Sequence, residues 1–325
     1  MHTIDVIIPA YNCLHLIDKA IASCVCQILD DDCEIAVTVV DDCSTDGDYR
    51  ALEDKWINII DIAVFRTDKN GGVGVARQYG IDNTHGDFIM FLDADDCFEG
   101  CHAVRDLLRN IADNDVIMGQ FIEETENGYA VHEDNFTWVH GKMFRRSFLD
   151  RHNIRFPDYR NNEDSGFNGV IKGITDRIAY SPIAVYSWNM NKNSTVRSKH
   201  EKYKYAYGWR DLVRNVEYVV GELLDRHIDK SRICNYVCGA YAGFYYQLCD
   251  SKMHMPDALE QNWAVLKAVY ITSVRPFVLD GAVSWEFLQK CYYDTFAKVG
   301  IPFITYKEYW NELGYFKDLK EVKYE

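Results

Sequence analysis

Four short runs of mostly apolar, β-branched residues occupy the first hundred positions. Ile4–Ile8 is ended by Pro9, Ile35–Val40 by Asp41-Asp42 and Asp87–Leu92 by Asp93, while Ile59–Phe65 leads toward Gly71-Gly72. The runs are nearly continuous in apolar residues, as in strands buried on both faces, and do not alternate as half-solvated strands do. Between them, Leu14–Ile28 sets Leu14, Ile17, Ile21, Val25 and Ile28 on one helical stripe, and Val73–Ile81 reads as a helix behind the glycines. Buried strands separated by helices predict a mostly parallel sheet covered on both faces. In such sheets ligands gather at the carboxyl ends of the strands. Tyr11-Asn12, Asp41-Asp42 and Asp93–Asp96 all fall there, so three polar clusters are expected to meet in one crevice.

With 325 residues the chain can hold one large α/β domain and a smaller appended one. From Val116 to Tyr186 the pattern turns mixed, with short strands and two short helices. After Ser198 it is helical, with aromatic-rich segments near 200–226, 229–252, 257–271 and 283–299. Charge is divided unevenly. Residues 1–194 carry 17 Lys and Arg against 33 Asp and Glu, and residues 195–325 carry 18 against 17. An acidic first part opposes general nucleic-acid binding, in which phosphate contacts dominate, and suits a cation-dependent site.

Eleven cysteines form no matched pair at zinc-ligand spacing, and the chain enters its first strand without a leader-like segment. They read as reduced thiols, and the expected compartment is the cytoplasm. The longest apolar stretch, Tyr236 to Cys249, is too short to span a bilayer.

Asp93-Ala94-Asp95 sets two carboxylates two apart in a loop leaving a strand. Magnesium and manganese take such oxygen ligands together with substrate phosphates, and a bound cation would relieve the repulsion between the acids. "NGGVGVARQYGI" (70–81) suggests a phosphate-binding turn, but it lacks the GxGxxG spacing and the lysine of a P-loop. Glu163-Asp164 at a helix start would also serve simply to satisfy exposed N–H groups.

Taken in order, "VIIPAYN" (6–12), "VVDDCSTD" (39–46), "NGGVGVARQYGI" (70–81), "FLDADD" (91–96) and "NEDSGFN" (162–168) resemble the motifs of family 2 glycosyltransferases. The resemblance runs from residue 4 to about 198. It implies the GT-A fold, Rossmann-like with a mostly parallel central sheet flanked by helices. It also implies an inverting transfer of a sugar from a nucleotide diphosphate sugar to an acceptor hydroxyl.

Carried onto this chain, the resemblance assigns Pro9, Ala10 and Tyr11 to the base pocket. Asp42 would accept the base imide N–H, which favours a UDP-sugar. Asp93, Ala94 and Asp95 would form the donor loop, with Asp93 and Asp95 holding Mn2+ or Mg2+. Arg77 would steady that loop or the phosphates, and Asp164 would be the general base. In "NKNSTVRS" (191–198), Arg197 or Lys192 would meet the diphosphate, and His200 is a weaker candidate for a metal contact.

Residues 1–198 are thus expected to be the catalytic domain and 199–325 a helical, acceptor-binding part. A glycan or glycoconjugate is the expected acceptor, and peripheral membrane contact is compatible with the chain. Residues 197–214 interleave six Lys and Arg with Tyr203, Tyr205, Tyr207 and Trp209. That stretch motivates a second reading, the same chemistry on a modified DNA base of the hydroxymethylcytosine type, as in some phage-encoded transferases. A third reading is a catalytically silent sugar-binding or scaffold module.

Overall fold

A computed structural model of the chain describes residues 1–133, 136–191, 208–237, 239–240 and 275. The chain divides into two compact units, Met1–Ser198 and Lys199–Glu325.

The first unit is built on a nine-stranded sheet: β1 (His2–Ala10), β2 (Cys33–Asp41), β3 (Asp61–Arg66), β4 (Phe88–Phe91), β5 (Cys97–Phe98), β6 (Val116–Thr125), β7 (Gly128–His132), β8 (Lys142–Arg145) and β9 (Ile178–Trp188). The order is β3-β2-β1-β4-β8-β6-β9-β5, with β7 hairpinned onto β6. Pairing is parallel from β3 through β4 and between β6 and β9, and β8 runs antiparallel to both its neighbours. The fold class is the expected α/β sheet flanked by helices, but the sheet is mixed, with four parallel and four antiparallel pairings, because β5, β7 and β8 run against the rest.

Both faces are covered. Ile4, Val6 and Ile8 of β1 join Val37, Val39 and Met90 in a core that takes in Ile17, Ala20 and Ile21 of α1 (Ile17–Val25) and Val104, Leu107 and Ile111 of α4 (Ala103–Ile111). A short α2 (Ala51–Trp56) and α3 (Val73–Asp82) lie between these two helices in the chain. On another side of β4, Phe91 meets Phe144, Phe156 and Phe167, and the Phe156 and Phe167 rings stack at 4.1 Å. Phe167 belongs to α6 (Glu163–Ile174), which follows the short α5 (Arg146–Arg151). Each such ring or branched chain contributes about 1.5–3 kcal/mol by leaving water.

Two boundaries differ from expectation. The first strand continues through Pro9, which stays in register with Val40. The ladder to β4 stops at Ile7, so the missing N–H of Pro9 interrupts nothing on that side. The first helix spans Ile17–Val25 rather than Leu14–Ile28. Tertiary bonds replace its end turns: the Cys13 N–H donates to the Tyr49 hydroxyl, Leu14 N–H to Asp46, and Ile28 N–H to the Cys101 carbonyl.

In the second unit, α7 (Gly208–Asp225) buries Val216, Val219, Val220 and Leu223, and helical turns at 230–237 bury Ile233 and Val237. The helices expected at 257–271 and 283–299 lie outside the described residues. No described helix is long and apolar enough to cross a membrane.

Candidate active site

The carboxyl ends of β1, β2 and β4 carry the loops beginning at Tyr11, Asp42 and Leu92. Because β8 is antiparallel to β4, with Met90 opposite Met143, its amino-terminal end lies at the same edge and brings Trp138–Gly141 there. β9 ends close by, since the Asn189 N–H donates to Asp96 at 2.8 Å.

Every acid of the 93–96 loop has a defined partner. Asp93 accepts from Arg77 Nη2 at 2.8 Å and faces His140 Nε2 at 3.3 Å, and its side chain is 27% exposed. Burial alone would push its carboxyl up, but the Arg77 and His140 charges hold it well below the usual carboxylate range. Asp95 accepts from Asn191 Nδ2 at 2.7 Å through Oδ2. Burial and the charge of Asp93 raise its pKa.

Asp96 is fully buried. It accepts from the Tyr186 hydroxyl at 2.6 Å and from the Asn189 N–H, and burial with the Asp93 and Asp95 charges pushes it up to about 8. The Tyr186 hydroxyl also accepts the Asp93 N–H at 3.2 Å, and Asn189 Nδ2 donates to the Asp95 carbonyl. The end of β9 thus clamps the loop at four points.

Asp93, Asp96 and His140 each turn one ligand-type atom into a group within 4.8 Å. Asp95, the second metal ligand expected from the sequence, stands outside that group. Asp96 has donors on both oxygens and no contact with solvent, which makes it an anchor of the loop. Asp95 Oδ1 has no protein partner among the described residues, so a cation entering the crevice meets a carboxylate oxygen there.

Arg77 joins two halves of the site. It is 3% exposed, and its fork reaches Asp93 on one side and Glu163 Oε1 at 2.9 Å on the other. Gly74, one turn earlier in α3, permits this approach: a Cβ there would lie 2.7 Å from Glu163 Cγ. Burial and the neighbouring Asp164 push Glu163 up to about 8. Asp164 is 9% exposed and, among the described residues, accepts a single hydrogen bond, from the Ser165 N–H, on Oδ1. Burial raises its pKa, against the opposing pull of Arg77 and His140. A carboxylate with a free oxygen and a raised affinity for protons suits proton removal.

On the other side of the crevice, Pro9 and Ala10 are buried at the end of β1, and the Tyr11 ring is 51% exposed. Asn12 stitches this loop to the next: its N–H donates to Ser44 Oγ and its Oδ1 accepts the Thr45 N–H. Asp41 is held by Arg66 and the Ser44 N–H. Asp42 accepts from Thr67 Oγ1 and the Gly71 N–H on Oδ1, and from the Gly72 N–H on Oδ2. The two glycine N–H groups that suggested a phosphate turn are therefore taken by a carboxylate, with Gly72 at φ +96° opening α3. Asp42 Oδ2 retains one lone pair.

Sequence reasoning gave no role to His140, Tyr186 or Asn189, and to Glu163 only that of satisfying N–H groups at a helix start. No local pattern marks the first three, since they act across 47 to 94 residues of chain. Glu163 was visible as the first acid of its pair. Arg197, Lys192 and His200 lie outside the described residues.

Residues 5–161 match the family described as glycosyl transferase family 2. An uncharacterized glycosyltransferase of Haemophilus influenzae is 27% identical over 205 residues, which cover 56% of this chain and 76% of that protein. The poly(ribitol-phosphate) beta-N-acetylglucosaminyltransferase TarS of Staphylococcus aureus is 35% identical over 97 residues, 30% of this chain and 17% of its own. The solved structure of S. aureus TarS 1–349 in complex with UDP-GlcNAc superposes with a TM-score of 0.71 at 18% identity, covering 98% of this chain and 92% of that one. The shared architecture is the GT-A fold.

Proposed function

We propose that this chain, which matches glycosyl transferase family 2 over residues 5–161, transfers a sugar, with inversion, from a UDP-sugar to a hydroxyl of a glycan or glycoconjugate. One observation carries the reading: Arg77 ties Asp93 of the donor loop to Glu163, the residue beside Asp164. A leaving-group site and a base are thereby held in one rigid unit.

Asp164 takes the proton of the acceptor hydroxyl on its unpaired oxygen. The freed oxygen pair bonds to the anomeric carbon from the face opposite the diphosphate. The bond from that carbon to the diphosphate oxygen breaks, and the nucleotide diphosphate leaves with the electron pair. The base-catalysed part of such a step is worth about 10²–10⁴-fold.

The donor side supports a uracil nucleotide. The exposed Tyr11 ring offers a stacking face. The remaining lone pair of Asp42 suits an imide N–H, and TarS, of like fold, was solved with UDP-GlcNAc.

Asp95, with Asp93 beside it, fits a hard divalent cation. These are oxygen ligands, one carboxylate oxygen of Asp95 lacks a protein partner among the described residues, and a cation would offset the burial and the Asp93 charge that raise the Asp95 pKa. When bound, magnesium or manganese supplies Lewis-acid neutralisation of the diphosphate. Arg77 keeps Asp93 ionised for that purpose. The acceptor-binding role of residues 199–325 belongs to the same proposal.

The test is thermal stabilisation by UDP, GDP, CDP and TDP, each with manganese, magnesium or chelator, on wild type and Asp95→Asn. A ligand at a hundredfold excess over its Kd stabilises by about 2.7 kcal/mol. A UDP shift that needs metal and disappears in Asp95→Asn is expected. An equal shift with every nucleotide, or none, refutes the donor assignment.

A further inference from the structure

Behind Asp93 stands a stack of nearly parallel rings. Tyr186 and His140 lie 4.7 Å apart at 9°, and His140 and Trp138 lie 6.3 Å apart at 12°. Tyr186 and His140 are buried, while Trp138 is half-buried. The Trp138 backbone is fixed from α6 and β8: its carbonyl accepts from Asn168 Nδ2 at 3.0 Å and from the Lys142 ammonium. Asn168 is four residues beyond Asp164, on the same face one helical turn along. Trp138 is therefore tied to Asp93 through His140 and to the Asp164 helix through Asn168. These two acids flank the point where the acceptor hydroxyl reacts.

We infer that Trp138 is an acceptor-side platform for the C–H face of a pyranose ring, an inference that rests on the transferase reading above. A tryptophan serving only as core filler buries its indole N–H against a partner. Here the Trp138 N–H has no hydrogen bond among the described residues, nor is it one of the buried atoms lacking a partner. It is open to donate to a ring hydroxyl while the indole covers apolar C–H groups.

The same surroundings disfavour a polyol phosphate, such as the poly(ribitol-phosphate) for which TarS is named. An acyclic polyol has no continuous face to lay on an indole. Its phosphates would add negative charge beside Asp164 and the donor diphosphate, where residues 1–194 already carry 33 Asp and Glu against 17 Lys and Arg. The chemistry thus favours a sugar-ring acceptor over an anionic polyol.

The experiment is saturation-transfer NMR on the full chain with UDP and manganese. The probes are methyl α- and β-glycosides of glucose, galactose and their N-acetylamino analogues, with ribitol 5-phosphate for comparison. At least one glycoside is expected to receive saturation on its ring C–H protons. Its half-saturating concentration should rise at least tenfold in Trp138→Leu and less than threefold in Trp138→Phe. No glycoside binding, binding unchanged in Trp138→Leu, a Phe variant as weak as the Leu variant, or preferential binding of ribitol 5-phosphate overturns the inference. The melting shift with UDP is read alongside. If it falls in Trp138→Leu together with glycoside binding, Trp138 serves only the fold and the inference fails. A wild type without any nucleotide shift overturns the donor reading, and this inference with it.

Discussion

Replacing Arg77 by Met keeps the length and apolar stem of the side chain but removes a buried charge that serves two carboxylates. Arg77 is 3% exposed and bonds Asp93 and Glu163 at 2.8 and 2.9 Å. Removing one partner of a buried pair costs about 3–5 kcal/mol, because the other charge stays behind without compensation. The low end applies here, for two reasons. Asp93 is about a quarter exposed and keeps His140 beside it. Glu163, pushed up to about 8, carries only part of a charge at neutral pH. A loss of about 3 kcal/mol corresponds to roughly 6–12 °C in Tm for a domain of this size.

The pH dependence checks the cause. In the wild type the folded-state pKa of Asp93 is depressed, so its contribution is present above the unfolded value and lost as pH falls through the folded one. In Arg77→Met the Arg77 part of that depression is gone, only His140 still opposes burial, and the carboxyl rises. The gap between the two proteins should therefore be widest above pH 6 and should close as the variant's carboxyls take up protons on acidification. Urea unfolding of both proteins at pH 4.5, 6 and 7.5 measures this. Arg77→Lys should fall between them, since one ammonium cannot fork to both acids. A loss below about 1 kcal/mol, or a gap of equal size at all three pH values, would refute the account.

Asp164→Asn should lower kcat by about 10²–10⁴-fold and leave the UDP melting shift intact, which steady-state kinetics and thermal scans check together. Asp96, buried and pushed up to about 8, has a folded-state pKa above its unfolded 3.8. Its contribution is full below that lower value and is lost as pH rises toward 8. Asp96→Asn should accordingly flatten the decline in stability between pH 5 and 8, as read by denaturant titration. Gly74→Ala would set a Cβ 2.7 Å from Glu163 Cγ and should displace the start of α6. Overpacking of this kind costs about 1–3 kcal/mol, and kcat is expected to fall more than the donor KM rises.

The sheet was legible because its strands are local in sequence: Ile4–Ile8, Ile35–Val40 and Asp87–Leu92 each declare burial within six residues. Their ends were less so. The shortening of α1 is decided by Asp46, Tyr49 and Cys101, none of them part of the stripe that predicted the helix. The acids were legible for the opposite reason. Three carboxylates after an apolar strand are costly unless something answers them, so their presence announces a site without naming what does so. For Asp93 the protein itself answers, with Arg77 and His140. For Asp96 the answer is Tyr186 and Asn189, reached by a strand some 90 residues later.

Of the three acids only Asp95 is left with an oxygen that no described residue occupies, and the proposed cation role rests on this asymmetry. Had all three acids been satisfied internally, the loop would be a structural knot. Had none been, mutual repulsion would hold it in no single geometry. Two anchored carboxylates and one with an open oxygen form a held loop, and the arginine that anchors Asp93 also holds Glu163, the neighbour of Asp164. That division of labour depends on contacts between residues far apart in the chain, so no reading of "FLDADD" alone could assign it.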